Sequence, residues 1–195
     1  MSKVKKCIFL LLLAVVTVCM LTACNRKKPE EDGMKIIFSE KILGIAEITP
    51  EEWVEDLIAF SDENYVDVYV NDDGASVTLE ISEEQRDYWI TSIADTLDDL
   101  KNRFAQLGTG FQIKYSEDYS HIDMYYNLEL DAYDAIYYVI YTEVLCINQQ
   151  LFMGVGHDEW AVSFNIYNSD TGKLVTSGDS DTGLSYTESD WAASM

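Results

Sequence analysis

The sequence predicts an α+β fold, an antiparallel sheet of about six strands with helices packed on one face, made from three helix-strand-strand units. Three observations carry this. Two long segments repeat apolar residues at steps of three and four, the spacing of an amphipathic helix. Three pairs of short alternating segments flank turns rich in Asn, Asp, Ser and Gly, the signal of a hairpin. Helix and hairpin patterns also follow one another three times, with hairpins starting near residues 64, 111 and 160. No helix stripe or strand row in such a unit buries itself alone, so one sheet covered by helices is the economical solution.

The elements are justified in chain order. "MKIIFSEKILGIAEI" is apolar and β-prone and reads as a strand or extended arm with a break at Gly44. Thr49-Pro50-Glu51-Glu52 joins a capping threonine to proline at the first helical position and acids in the first turn. A helix through about Phe60 follows, with Trp53, Leu57 and Phe60 on its apolar face. "NYVDVYVNDDGASVTLEIS" is a hairpin around Asn71-Asp72-Asp73-Gly74, with Val66, Val68, Val70 and Val77, Leu79, Ile81 pointing inward.

Ser82 caps a helix from Glu83 to about Gln106, whose stripe is Trp89, Ile93, Leu97, Leu100, Phe104 and Leu107; Gly108 and Gly110 end it. In the next hairpin Phe111, Ile113 and Tyr115 face Ile122, Met124, Tyr126 and Leu128. A third helix, from about Ala132 to Leu151, carries Ile136, Ile140, Val144, Ile147 and Leu151. A third hairpin turns at Ser169-Asp170-Thr171-Gly172. One α+β domain is thus expected over residues 34–178, followed by a polar tail at 179–195.

With those rows inward, period-two alternation puts Tyr65, Asp67, Tyr69, Ser76, Thr78, Glu80, His121, Asp123, Tyr125, Asn127, Ser163, Asn165 and Tyr167 on the opposite face. Tyr65, Tyr69, His121, Asp123, Tyr125 and Tyr167 are the candidate binding face, mixing rings with carboxylate and imidazole as a glycan or peptide ligand requires. A solvated sheet face of good strand formers has the same composition. His157 and Asp158, in the glycine-flanked loop "MGVGHDEW", form the second histidine cluster and are the only other catalytic candidates.

No CxxC, HExxH, GxSxG, phosphate loop or dinucleotide fingerprint occurs, so no metal site and no cofactor are expected. Calcium is the one cation the acidic turns suggest. In "DSDTG", Asp179 and Asp181 match the first two ligands of an EF-hand loop, but Gly183 stands third and no glutamate falls twelfth. Hairpin-tip chemistry accounts for two of the three acidic turns, "NDDG" and "NSDTG", without it.

The formal charge of −22 repels nucleic-acid phosphates, so no nucleic-acid partner is expected. With 48% hydrophobic and 12% aromatic residues, a folded domain rather than a disordered chain follows. Cys146 lies among apolar neighbours in "EVLCINQQL" and reads as a small buried hydrophobe.

The first residues obey different rules. Lys3, Lys5 and Lys6 precede an apolar run from Cys7 to Leu21 broken only by Thr17. At about 1.5 Å per helical residue that run spans roughly 22 Å, short of the roughly 30 Å of hydrocarbon a spanning helix crosses, so residues 1–23 read as an export signal. Leu21-Thr22-Ala23-Cys24 resembles the lipobox of bacterial lipoproteins. That resemblance implies diacylglycerol on the Cys24 thiol, cleavage just before it, and a partner in the lipid bilayer on the extracytoplasmic side of the cell membrane. Residues 24–33 are then a tether, with Arg26, Lys27 and Lys28 at the head groups and Glu30, Glu31 and Asp32 standing off them.

The expected role is a non-catalytic domain binding an envelope protein or glycan. The alternatives are an envelope hydrolase built on His121 with Asp123 or His157 with Asp158, and a structural subunit of an envelope complex.

Overall fold

The computed structural model describes residues 33–60 and 65–195. The expected export signal at residues 1–23, the expected acylation site Cys24 and all of the expected tether but residue 33 lie outside them, as does the side chain of Phe60. The elements in order are β1 (Met34–Phe38), α1 (Glu40–Ile45), α2 (Pro50–Phe60), β2 (Asp67–Val70), β3 (Val77–Ile81), α3 (Glu83–Ala105) and β4 (Gln112–Tyr115). Then come β5 (His121–Tyr126), α4 (Ala132–Phe152), β6 (Ser163–Asn168), β7 (Leu174–Asp179) and α5 (Glu188–Ser194).

The class is α+β, but the single six-stranded antiparallel sheet is replaced by two sheets, ordered β1-β3-β2 and β4-β5-β6-β7. The three expected hairpins are all antiparallel pairs. The departure lies between hairpins: β5 and β6 run parallel. Its cause is α4, whose 21 residues make the crossover that parallel neighbours need, whereas a tight turn returns the chain antiparallel. The first sheet gains its third strand from β1, antiparallel to β3. The break after β1 falls at extended Ser39, and Gly44 lies inside α1.

Helix starts follow the capping residues. Thr49 and Glu52 exchange side-chain and backbone bonds of 3.1 and 3.2 Å, as do Ser82 and Gln85 at 2.8 and 3.2 Å. Each capping box satisfies two otherwise orphaned amides.

The described residues fall into two compact units, one up to Ala94 with Leu151–Asp158 and one of Asp95–Gln150 with Glu159–Met195. In the first, Ile36, Phe38, Val77, Leu79 and Ile81 form the buried sheet face, Phe38 packs on Trp53, and Trp89 stacks on Phe152. In the second, Ile113, Ile122, Met124, Tyr126, Phe164 and Ile166 are buried from the four-stranded sheet, and Phe104 meets Phe111, Tyr126 and Tyr138.

Several expectations about the core need correcting: Leu107 and Leu128, expected to face inward, are exposed, because the helix ends at Ala105 and the strand at Tyr126. Burial in α4 runs unbroken from Tyr141 to Phe152 instead of along one stripe, while Ile136 is 53% exposed. The buried stretch takes in Thr142, Glu143, Asn148, Gln149 and Gln150 beside its apolar residues, so burial there is not confined to an apolar stripe. Residues 179–195, expected as a polar tail, contain α5, where Trp191 is 4% exposed against Tyr126 and Tyr186. Thr187 and Asp190 supply its capping box, and Ser194 accepts from Asn168 and Thr171. The loop before α5 returns so closely that a Cβ on Gly178 would collide with the Gly183 carbonyl.

Candidate functional site

Strands β5 and β6 alternate strictly. Ile122, Met124, Tyr126, Phe164, Ile166 and Asn168 are buried, while His121, Asp123, Tyr125, Ser163, Asn165 and Tyr167 are half-buried on the other face. Parallel register pairs these outer residues in three rows, His121 with Ser163, Asp123 with Asn165, and Tyr125 with Tyr167. The site is a consequence of that register.

His121 Nδ1 lies 2.7 Å from Ser163 Oγ, and its Nε2 lies 2.9 Å from Asp123 Oδ1. A carboxylate only accepts, so Nε2 carries a proton toward Asp123; in that tautomer Nδ1 is the acceptor for the Ser163 hydroxyl at 2.7 Å, closer than the Ser120 carbonyl at 3.2 Å. The Asn165 amide donates to the same Asp123 oxygen at 3.0 Å. Among the described residues no donor reaches Asp123 Oδ2, which leaves a carboxylate oxygen open on the face.

Next to this network the rings of Tyr125 and Tyr167 stack 4.8 Å apart at 13°, and Lys114 Nζ sits 4.4 Å from the Tyr125 centroid. Burial raises the Tyr167 hydroxyl above its ordinary pKa, and the nearby Asp123 charge and Tyr125 add to it. With one face against Tyr167 and a cation over the ring, Tyr125 offers its hydroxyl edge more than a flat stacking surface.

The candidate residues divide between the units. His121, Asp123, Tyr125 and Tyr167 come together on the four-stranded sheet, whereas Tyr65 and Tyr69 belong to the first unit. Tyr69 joins a cross-strand network there, donating to Glu80 at 3.2 Å and accepting from Lys35 at 3.2 Å, with Lys35 2.9 Å from Glu80. That pairing raises the Lys35 pKa and lowers that of Glu80. Ser76 and Thr78, expected to face solvent, are buried because Asn71 folds over them, bonding both at 2.7 Å.

His157 and Asp158 are both exposed in the loop after α4, and no hydrogen bond joins them. Asp179 turns its carboxylate onto its own loop, accepting from the amides of Asp181 and Thr182 and from the Thr182 hydroxyl. Among the described residues no three His, Cys, Asp or Glu converge on a metal position.

Ser163, Asn165 and Lys114 complete the site without having been singled out from sequence. Ser163 and Asn165 sit on the expected face, but their partners depend on the parallel register. Lys114 alternates with the inward Ile113 in β4, opposite Asp123. Compared with models of protein families, with curated proteins and with solved structures, the chain matches none.

Proposed function

We propose that this chain is a lipoprotein acylated on Cys24 at the extracytoplasmic side of the membrane, and that the outer face of its four-stranded sheet binds an envelope protein or glycan. The observation carrying the binding reading is the set of three outward pairs, His121/Ser163, Asp123/Asn165 and Tyr125/Tyr167, half-buried on one face with a carboxylate oxygen left open. Such a face supplies fixed hydrogen-bond partners beside rings, the composition that recognises polar ligands. Among the described residues no helix is long and apolar enough to cross a membrane. Anchoring therefore rests on Leu21-Thr22-Ala23-Cys24, and two or more acyl chains on Cys24 would hold lastingly where one does not.

A second reading, a hydrolase, is favoured by the line Ser163–His121–Asp123. Its weakness is the missing oxyanion donor. The Ser163 amide already donates to the Ser120 carbonyl at 2.9 Å, and the Asn165 amide nitrogen is turned to Asp123 at 3.0 Å. A tetrahedral intermediate at Ser163 would lack the backbone N–H groups that stabilise its charge. The line is then a cross-strand hydrogen-bond ladder.

Fatty-acid labelling tests the anchor: label should enter the wild-type chain and be absent from Cys24→Ser, which should leave the membrane fraction. Label retained by Cys24→Ser would contradict the lipoprotein reading. Capture of envelope material with and without the Tyr125, Tyr167 and His121 side chains tests the face.

A further inference from the structure

Gln150, near the end of α4, is 4% exposed, so its amide must find partners within the protein. Its Nε2 donates to the Tyr119 carbonyl at 2.8 Å and to the Ala161 carbonyl at 3.1 Å, and its Oε1 accepts from the Ala161 amide at 3.4 Å. Tyr119 and Ala161 stand two residues before His121 and Ser163, the first register pair of β5 and β6. One helix side chain thus ties together the entries of both strands, level with the pair that opens the site.

Tyr119 is an unlikely residue to hold its position unaided. It has φ 60°, a conformation bulky side chains rarely adopt. Its ring stacks on Tyr115 at 5.5 Å, and Gln150 holds its carbonyl. The following residue, Ser120, accepts from the Ser163 amide at 2.9 Å, and its carbonyl lies 3.2 Å from the Ser163 hydroxyl oxygen, whose single hydrogen is turned to the closer His121 Nδ1.

We propose that Gln150 is a positioning residue for the His121–Ser163 contact, fixing the separation of the two strand entries so that the Ser163 hydroxyl meets His121 Nδ1. The inference concerns the geometry of the face and stands whether the face binds a glycan, a protein or neither. Removing the amide frees Tyr119 and Ala161 to separate, and Nδ1 then loses its donor.

The chain has two histidines, so each reports separately. Full-length chain in detergent is treated with diethyl pyrocarbonate, and carbethoxylation of His121 and His157 is followed by mass spectrometry. With Nε2–H turned to Asp123, the nucleophilic nitrogen of His121 is Nδ1, which the Ser163 hydroxyl occupies. Ser163→Ala should therefore speed modification of His121 by about two- to tenfold, the range of one modest hydrogen bond. Gln150→Met, similar in shape but without donors, should reproduce that rate, with exposed His157 unchanged. The double variant should be no faster than either single one, the non-additivity of two changes that break one contact.

A folded Gln150→Met with the wild-type His121 rate overturns the proposal, as does full additivity in the double variant. An unchanged rate in Ser163→Ala overturns it too, because the contact itself would be absent. If Gln150→Met does not fold, Gln150→Asn, one methylene shorter, replaces it under the same criteria.

Discussion

Ser163 Oγ stands 2.7 Å from His121 Nδ1, although 42 residues separate them in the chain. The contact exists because α4 carries the chain from the end of β5 back to the start of β6, making the strands parallel neighbours. Three outward pairs follow from that single topological choice. Hairpin chemistry alone would have left each histidine and serine with a different neighbour.

The β4–β5 turn responds to acid. Ser116 and Ser120 hydrogen bonds hold the Asp118 carboxyl at about 2, below its ordinary 3.8. A lowered pKa means the charged form favours the folded state. This contribution is complete above the ordinary value and is lost as pH falls from about 4 to about 2. Asp118→Asn should be less stable than wild type at pH 6, with the gap much narrower at pH 2.5 in urea unfolding. An equal gap at both pH values would mean that Asp118 makes no such contribution.

Trp191 closes the second unit's core. Its ring lies 5.3 Å from that of Tyr126, whose hydroxyl donates to Tyr186 at 3.1 Å. Trp191→Ala should cost about 3–5 kcal/mol in denaturant unfolding, as a large buried aromatic does. A change within about 0.5 kcal/mol would return residues 179–195 to the status of a surface tail.

Cys146 is fully buried, and burial with the nearby Glu143 pushes its thiol well above the ordinary cysteine range. The thiolate is the reactive species. Native chain should therefore leave Cys146 unlabelled by a disulfide reagent at pH 8, and unfolded chain should label it fully. Rapid labelling of native Cys146 would show that α4 is not enclosed.

Much of the fold was legible because its signals are local. Capping residues Thr49 and Ser82, the turn at Asn71–Gly74 and the Ile93–Phe104 stripe act within a few residues of themselves, and each appears where expected. What was hidden depends on distance in the chain. The pairing of β5 with β6 follows from how α4 returns, and the split into two sheets falls at α3, between β3 and β4; alternation encodes neither. Tyr69 and Tyr125 look alike in sequence, yet one serves a Lys35–Glu80 network and the other stacks on Tyr167. Trp191 was the one legible signal passed over, a large apolar ring just inside a Thr-x-x-Asp capping box.

The central claim is that the outer face of β4-β5-β6-β7 binds an envelope ligand. Its most direct test is capture from envelope extract by the chain beginning at Asn25, compared with the same chain bearing Tyr125→Ala, Tyr167→Ala and His121→Ala. The account predicts a protein or glycan retained by the first and lost by the second, with Tyr65→Ala and Tyr69→Ala retaining it. A ligand held equally by all versions, or lost only with Tyr65 and Tyr69, would contradict the assignment of that face.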